Sequence, residues 1–278
     1  MLLELSKNIK SRKYRVLTIS EYREKENYQE IKNRANIVLS LKNTDDLYKL
    51  FNIKTEDTFD LEKYDYQSRK KLEFLNELKY PFRNMDFIVR NSGRLEDIAN
   101  YNYVKEEWNK KKVNLMLNYD PVEYIKKIVL EVEELICKKN DLKDFVFQND
   151  ILSVLFLPIY GKNLEEGFSI KMSQLFILGG NLEIKVKVVL KEKNLVKNEV
   201  TLELNGEIDD VYTNEYEIKR KIKARLGIKK EHELAGLIRG IFVYEIDTGL
   251  LKRAKMIRRG TYGDEYLNGV RYEVDYYE

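Results

Sequence analysis

The glycines of this chain are distributed so unevenly that they divide it into two differently built parts. Of its 13 glycines, Gly93 alone falls within residues 1–150, and the others lie within residues 151–278. Glycine marks tight reversals of the chain because it adopts positive φ without steric cost. The distribution therefore predicts a mainly helical first part with few hairpins and a second part of strands and turns.

A helical pattern covers residues 121–139. Asp120 is placed to cap this helix, and Pro121 takes the first helical position, where a missing N–H is harmless. The apolar side chains recur at spacings of three and four and form one stripe: Val122, Ile125, Val129, Val132 and Ile136. Residues 60–80 and 142–157 are also predicted to be helical.

A small β element lies between these helices. Residues 82–98 fit a strand, a turn that ends in Gly93 and a short return strand. The first fifty residues are ambiguous. Residues 14–19 and 37–41 fit strands, whereas residues 21–34 fit either a helix or an exposed loop.

After Gly161 the spacing of apolar residues changes from about 3.6 to about 2, as in strands with one buried face. Residues 182–190 and 200–204 form a predicted hairpin, and Asn205-Gly206 indicates a further turn. Residues 216–226 fit a short helix. Three consecutive strands are predicted at residues 241–247, 250–258 and 270–277.

Together these patterns predict an α+β fold. The N-terminal half is expected to be mainly helical with a small β element, and the C-terminal half is expected to be an antiparallel β-meander. The predicted division is into residues 1–160 and 161–278. The sequence leaves open whether these two regions form one compact domain.

Composition and charge indicate a globular protein of the cytoplasm. The chain has 278 residues, of which 43% are hydrophobic, enough for a packed core. Its 50 basic and 47 acidic residues are nearly balanced, so a whole surface devoted to nucleic acid or membrane is not expected. Cys137 is the one cysteine, and Glu4 interrupts the region where a signal peptide has its apolar run.

Motifs for catalysis and for metal binding are weak throughout the sequence. His232 is the single histidine, which together with the single cysteine rules out the common zinc signatures. Asp45-Asp46 and Asp209-Asp210 fit either a cation site or turn residues. The triplets 183–185 and 217–219 have a nuclease-like Glu-x-Lys form, but a half-solvated sheet face requires the same alternation. We therefore expect no enzymatic activity, no metal and no cofactor.

Two basic clusters with tyrosines beside them give the sequence its one local charge asymmetry. The first spans residues 219–230, which include no acidic residue, and the second spans residues 252–259. On one common face they would suit phosphates or an acidic protein, and separately they fit solvated strand or helix faces. The candidate interaction residues are Tyr212, Tyr216, Lys219, Arg220, Lys221, Lys223, Arg225, Lys252, Arg253, Lys255, Arg258, Arg259 and Tyr262.

One stretch carries a resemblance to known proteins through five short segments: Tyr80-Pro81, residues 89–93, residues 95–100, Trp108 and residues 158–161. In this pattern, residues 64–161 resemble a group of uncharacterised bacterial proteins. The resemblance implies an architecture in which Asn100 caps the helix that bears Trp108, and it implies no activity. Some of those proteins look like neighbours of toxin-delivery or conflict systems.

The sequence favours a non-enzymatic protein-interaction role, because motifs for chemistry are weak and the second part is a tyrosine-rich sheet. A bacterial immunity, adaptor or inhibitor protein that binds its partner stoichiometrically is the concrete form of this expectation. The alternative is a nucleic-acid-associated protein that binds phosphates through residues 219–230 and 252–259. An enzyme with a carboxylate-only site is the third hypothesis.

Overall fold

One antiparallel sheet dominates the described part of the chain. The computed structural model describes residues 1–6, 11–58, 66–119, 122–147, 150–176, 180–209 and 212–277. The strands are β1 (Ser11–Glu24), β2 (Asn27–Thr44), β3 (Tyr48–Thr58), β4 (Asn84–Arg90), β5 (Leu95–Ile98), β6 (Phe168–Phe176), β7 (Gly180–Asn194), β8 (Glu199–Ile208), β9 (Leu234–Glu245), β10 (Leu251–Tyr262) and β11 (Tyr266–Tyr277). Their spatial order is β5-β4-β3-β2-β1-β11-β10-β9-β8-β7-β6.

The first and last of these strands pair in the middle of the sheet. Val16 of β1 lies opposite Val274 of β11, and the antiparallel pairing runs the length of both strands. Strands β2 to β5 continue the sheet on one side, and β10 to β6 continue it on the other. The predicted fold class is therefore wrong: the first part of the chain supplies five strands, and most helices lie mid-sequence rather than forming a helical N-terminal half.

The prediction from glycine failed because the first two hairpins turn without glycine. Between β1 and β2, Lys25 itself adopts a φ of 56°. Between β2 and β3, the Oδ1 atom of Asp45 accepts hydrogen bonds from the N–H groups of Leu47 (2.8 Å) and Tyr48 (2.6 Å). Residues 21–34, predicted as a helix or loop, are instead the tip of a long hairpin.

Several glycines of the second part lie inside strands and not at turns. Gly206, with Asn205 a predicted turn, lies within β8. A Cβ atom there would stand 2.8 Å from Cγ2 of Val186, closer than real carbon atoms approach. Gly236 of β9 is similar, because its Cβ would meet Ile208 Cγ1 at 2.8 Å. Because these glycines have no side chain, the side chains of Val186, Ile184 and Ile208 can occupy the space beside them.

The helices fall into three places in the chain order. Their bounds are α1 (Tyr66–Leu78), between β3 and β4; α2 (Tyr101–Asn118), α3 (Val122–Cys137), α4 (Lys139–Phe147) and α5 (Asp150–Leu155), between β5 and β6; and α6 (Glu215–Leu226), between β8 and β9. The predicted helix 121–139 corresponds to α3, whereas residues 142–157 divide into α4 and α5. The helix starts expected at residues 60 and 120–121 lie outside the described residues.

One face of the sheet shares a core with the helices. Tyr14 and Val16 of β1 point into this core, while Arg15 between them is exposed. Val104 and Trp108 of α2 are buried in the same core. Burial of apolar surface stabilises such a layered arrangement by about 25 cal/mol per Å². The opposite face of the sheet carries the charged side chains that alternate with the core residues along each strand.

The β4–β5 turn is held tightly against the segment that follows α5. Gly93 in this turn has a φ of +90°. The N–H of Tyr160 donates to the carbonyl oxygen of Ser92 at 3.3 Å. A Cβ atom on Gly93 would lie 2.6 Å from Cδ2 of Tyr160 and closer still to the carbonyl oxygen of Leu157. Two separate segments of the resemblance pattern therefore touch one another.

Asn100 stands at the start of α2, but its side chain does not cap that helix. Its Oδ1 atom accepts a hydrogen bond from the N–H of Asp86 at 2.8 Å, and its Nδ2 group donates to the carbonyl oxygen of Asn84 at 2.9 Å. The side chain therefore fastens the beginning of α2 to β4. This role differs from the cap that the resemblance implies.

Candidate interaction surface

Helix α6 carries most of the candidate residues of the first basic cluster. Its start is capped by Asn214, whose Oδ1 accepts from the N–H of Glu217 at 3.1 Å. Gly227 ends it with a φ of 65°, and its N–H donates to the carbonyl oxygen of Lys223. Because Ile218 is buried in the core, the polar face of α6 points to solvent.

Glutamates neutralise much of the basic charge of α6. Three ion pairs do this: Lys219 with Glu215 (2.7 Å), Lys221 with Glu217 (2.8 Å) and Lys223 with Glu231 (2.5 Å). In the first two, glutamate precedes lysine by four residues, the order that stabilises a helix. The hydrogen bond and charge of Lys221 hold the pKa of Glu217 below its ordinary value. The lysines of this cluster therefore serve largely to stabilise the helix through these ion pairs.

Two tyrosines and one arginine remain exposed beside these pairs. Tyr216 is 79% exposed, and Arg220 follows it by one helical turn without an ion pair in the part of the chain that the structure describes. The Nζ atom of Lys171, on β6, lies 3.1 Å from the centroid of the Tyr212 ring. We refer to Lys171, Tyr212, Tyr216 and Arg220 as the tyrosine surface.

Strand β10 carries the second basic cluster, but alternation divides that cluster between the two faces of the sheet. Arg258 and Tyr262 point into the core. Arg258 is 2% exposed, and its Nη1 group donates to Oγ of Ser153 on α5 at 3.4 Å. The residues that face solvent are Arg253, Lys255 and Arg259.

Carboxylates of β1, β8 and β11 pair with the basic residues outside the core on β10. The pairs are Lys252 and Arg253 with Glu199 (2.8 and 3.8 Å), Lys255 with Glu273 (3.3 Å) and Arg259 with Glu21 (2.7 Å). The hydrogen bond from Lys252 is the main reason that the pKa of Glu199 is lowered, although desolvation opposes it. A surface paired in this way offers phosphates few free charges.

The structure does not bring the two basic clusters onto one face. Lys219 has its pKa raised chiefly by its hydrogen bond to Glu215, and Tyr262 is near enough to contribute. Helix α6 therefore lies near the Tyr262 end of β10. Arg253 is near the other end, nine residues away, or about 30 Å along an extended strand. Arg225, at the other end of α6, lies near Tyr22 of β1, whose ring packs on Tyr266, the residue opposite Tyr262.

A charge network that the sequence did not reveal crosses the solvent face of three strands. Glu21 of β1 is 6% exposed and accepts hydrogen bonds from Arg259 of β10 (2.7 Å) and Arg271 of β11 (3.0 Å). Gly269 of β11 lies opposite both Glu21 and Arg259 in the sheet, so the arginine reaches across a position without a side chain. Desolvation acts to raise the pKa of Glu21, but the two arginines outweigh it and lower that pKa.

Replacing Glu21 by glutamine is expected to lower the free energy of unfolding by about 1–2 kcal/mol at pH 7, because it removes the carboxylate that pairs with Arg259 and leaves Arg271 with Glu30 alone. The pKa of Glu21 is depressed in the folded state, so its contribution is present above the unfolded pKa and is lost as the pH falls through the folded pKa. Urea unfolding between about pH 7 and pH 3 measures the difference. A pH-independent difference, or an equal loss for Glu26→Gln in the exposed turn, would contradict this assignment.

No protein-family model and no curated protein sequence matches this chain. Its function is therefore inferred from its own residues. Among the residues that the structure describes, His, Cys, Asp and Glu side chains do not gather in groups of three that could hold a metal ion. None of the described helices is long and apolar enough to cross a membrane.

Most of the other residues weighed for chemistry lie apart from one another, although the N–H of Asp209 donates to the carbonyl oxygen of Glu183 at 2.7 Å. Cys137 is exposed at the end of α3. The ring of His232 packs edge-on against Tyr262, with centroids 5.4 Å apart. Glu183 lies in β7, whereas Glu217 lies in α6, so the two Glu-x-Lys triplets have unrelated settings. Asp210 lies outside the described residues.

Proposed function

We propose that this protein is a bacterial cytoplasmic protein that binds another protein stoichiometrically and does not act as an enzyme. An immunity, adaptor or inhibitor protein of a toxin or defence system is the concrete form of this proposal. The observation that carries it is the tyrosine surface, where Tyr216 stands exposed on a capped helix with Arg220 one turn away.

Tyrosine and arginine are the side chains that most often dominate binding at protein interfaces. Tyrosine buries a large ring while losing few rotamers, and arginine presents a planar fork of donors to a carboxylate. Lys171 and Arg220 give the tyrosine surface two positive charges, one of them seated on the ring of Tyr212. The surface therefore suits an acidic patch on the partner protein.

The same contacts give less support to nucleic-acid binding. Such binding depends on lysines and arginines that are free to neutralise phosphates. In α6 and β10 many of these side chains already pair with glutamates. The two clusters also lie at separate places, one on α6 and the other on β10. Nucleic-acid binding is therefore an outcome that the experiment must separate from protein binding.

Replacing Tyr216 and Arg220 together by alanine is expected to weaken partner binding at least about tenfold, because exposed aromatic and arginine side chains dominate interface energetics. The partner is isolated by affinity capture on the full chain, purified, and titrated by calorimetry. Light scattering of the reconstituted mixture is expected to give a complex of one to one stoichiometry.

Tyr124→Ala on α3 is the matched control, because Tyr124 is also exposed but lies outside the tyrosine surface. This variant should bind the purified partner with unchanged affinity. Three results would contradict the proposal: equal affinity in the double variant, failure to reconstitute any complex, or retention of nucleic acid alone with affinity that falls steeply as salt rises.

A further inference from the structure

A cavity of about 320 Å³ lies between the core face of β1 to β4 and the helices α4 and α5. Its apolar lining includes Val16, Ile37, Ile53, Met85, Phe87 and Leu152. A cavity of this size lies within the range of small-molecule sites in proteins. At roughly 30 Å³ per water-sized group, it holds about ten non-hydrogen atoms. It is distinct from the tyrosine surface and shares no residue with it.

Two polar side chains at this cavity have a buried atom that lacks a partner. The Nε group of Arg83 and the Oδ1 atom of Asn33 are buried without a hydrogen bond to the described residues. Such atoms are costly in an apolar setting unless something pairs with them. Arg83 and Asn33 contribute polar side chains to the lining of this cavity, as ligand sites with an apolar body commonly have.

Arg83 is held in place from outside the cavity. Its Nη2 group donates to the Oδ1 atom of Asn76 on α1, and its guanidinium lies 5.6 Å from the ring centroid of Tyr80. The described lining also includes Lys79, and it contains no aspartate or glutamate. A fixed guanidinium favours an anion where none of the described lining residues is acidic, and a carboxylate fits its planar donors.

We propose that this cavity binds a small carboxylate with an apolar body of about eight carbon atoms, as a free molecule and independently of the proposed protein partner. The apolar body lies against the core residues of β1 to β4, and the carboxylate pairs with the guanidinium of Arg83. The amide of Asn33 donates or accepts according to how its terminal group is turned.

Calorimetric titration of the full chain with octanoate, 1-octanol and butyrate tests this proposal. We expect octanoate to bind one to one with a Kd below about 1 mM. Octanol, which has the same chain without the charge, should bind at least about tenfold more weakly, and butyrate is too short to fill the cavity. Arg83→Gln should weaken octanoate at least about tenfold and leave octanol unchanged.

Arg94→Gln is the matched control, since Arg94 is a solvent-exposed arginine away from the cavity, and its octanoate affinity should equal that of the wild type. Ala35→Leu narrows the cavity and should weaken octanoate and octanol alike. Circular dichroism establishes that each variant is folded. If Arg83→Gln does not fold, the comparison of octanoate with octanol on the wild type still decides. Absent octanoate binding, equal binding of octanol, or an unaltered Kd in folded Arg83→Gln would overturn the proposal.

Discussion

Alanine in place of Gly93 is expected to lower the free energy of unfolding by about 2–5 kcal/mol. Two effects add at this position. A residue with a side chain at a φ of +90° is strained by roughly 1–2 kcal/mol, and a Cβ that overlaps packed atoms costs about 1–3 kcal/mol more. The atoms that it meets are the ring of Tyr160 and the backbone oxygen of Leu157. Neither gives way cheaply, because both belong to the segment that closes over the β4–β5 turn.

Gly161→Ala separates the two effects. Gly161 also has positive φ, at +73°, but a Cβ added there meets nothing within 4 Å. Gly161→Ala should therefore lower the free energy of unfolding by about 1–2 kcal/mol, from backbone strain alone. Urea unfolding monitored by circular dichroism gives both values. Equal losses at the two positions would mean that the close approach at Gly93 contributes nothing.

Methionine in place of Arg12 is expected to lower the free energy of unfolding by about 3–5 kcal/mol, the range for breaking a buried ion pair on one side. Arg12 of β1 is 9% exposed, and it forms an ion pair with Glu245 at the end of β9. Its Nη2 group also donates to Oγ1 of Thr248 at 3.1 Å, and its guanidinium lies 4.7 Å from the ring centroid of Tyr276. The substitution would leave a half-buried carboxylate unpaired and remove a cation–π contact.

A double-mutant cycle with Glu245→Gln tests the pairing directly. The loss in the double variant should be smaller than the sum of the two single losses by at least about 1 kcal/mol. Lys13→Met, at the exposed neighbouring position of β1, should change stability by less than about 0.5 kcal/mol. Strictly additive losses of Arg12→Met and Glu245→Gln would show that their ion pair carries no stability.

Elements whose signals are local could be predicted from the sequence. The apolar stripe of residues 122–136 became α3, and the four-residue spacing of Ile218, Ile222 and Leu226 became the buried side of α6. The alternation of residues 182–190 lies within β7. In each case the period of apolar residues decides the element, because it decides which face is removed from water.

The overall architecture could not be predicted in the same way, because residues other than glycine adopt positive φ in turns between strands. Lys25 and Asn198 both adopt positive φ, at 56° and 55°. A sparse glycine content therefore did not mean few hairpins. The partner of β1 is β11, and no local sequence pattern indicates a pairing between strands that lie so far apart in the sequence.

Adjacency in the sequence did not predict which residues share a surface. Arg258 and Arg259 are neighbours, yet one is buried near α5 and the other pairs with Glu21 on the opposite face. The cavity lining, likewise, combines residues of β2 and the α1–β4 connection, such as Asn33 and Arg83. The exposure of Tyr216 was the part of the candidate surface that the sequence could indicate, because exposure on a short amphipathic helix follows from its period.

The pairing of β1 with β11 also sets a timing problem for synthesis of the chain. Val274 leaves the ribosome 258 residues after its cross-strand partner Val16. At about 5–20 residues per second, the β1 edge waits roughly 15–50 s with its backbone groups unmatched by their final partner. During that interval it is open to strands of other nascent chains. The rate of translation therefore sets how long this edge stays exposed to such pairing.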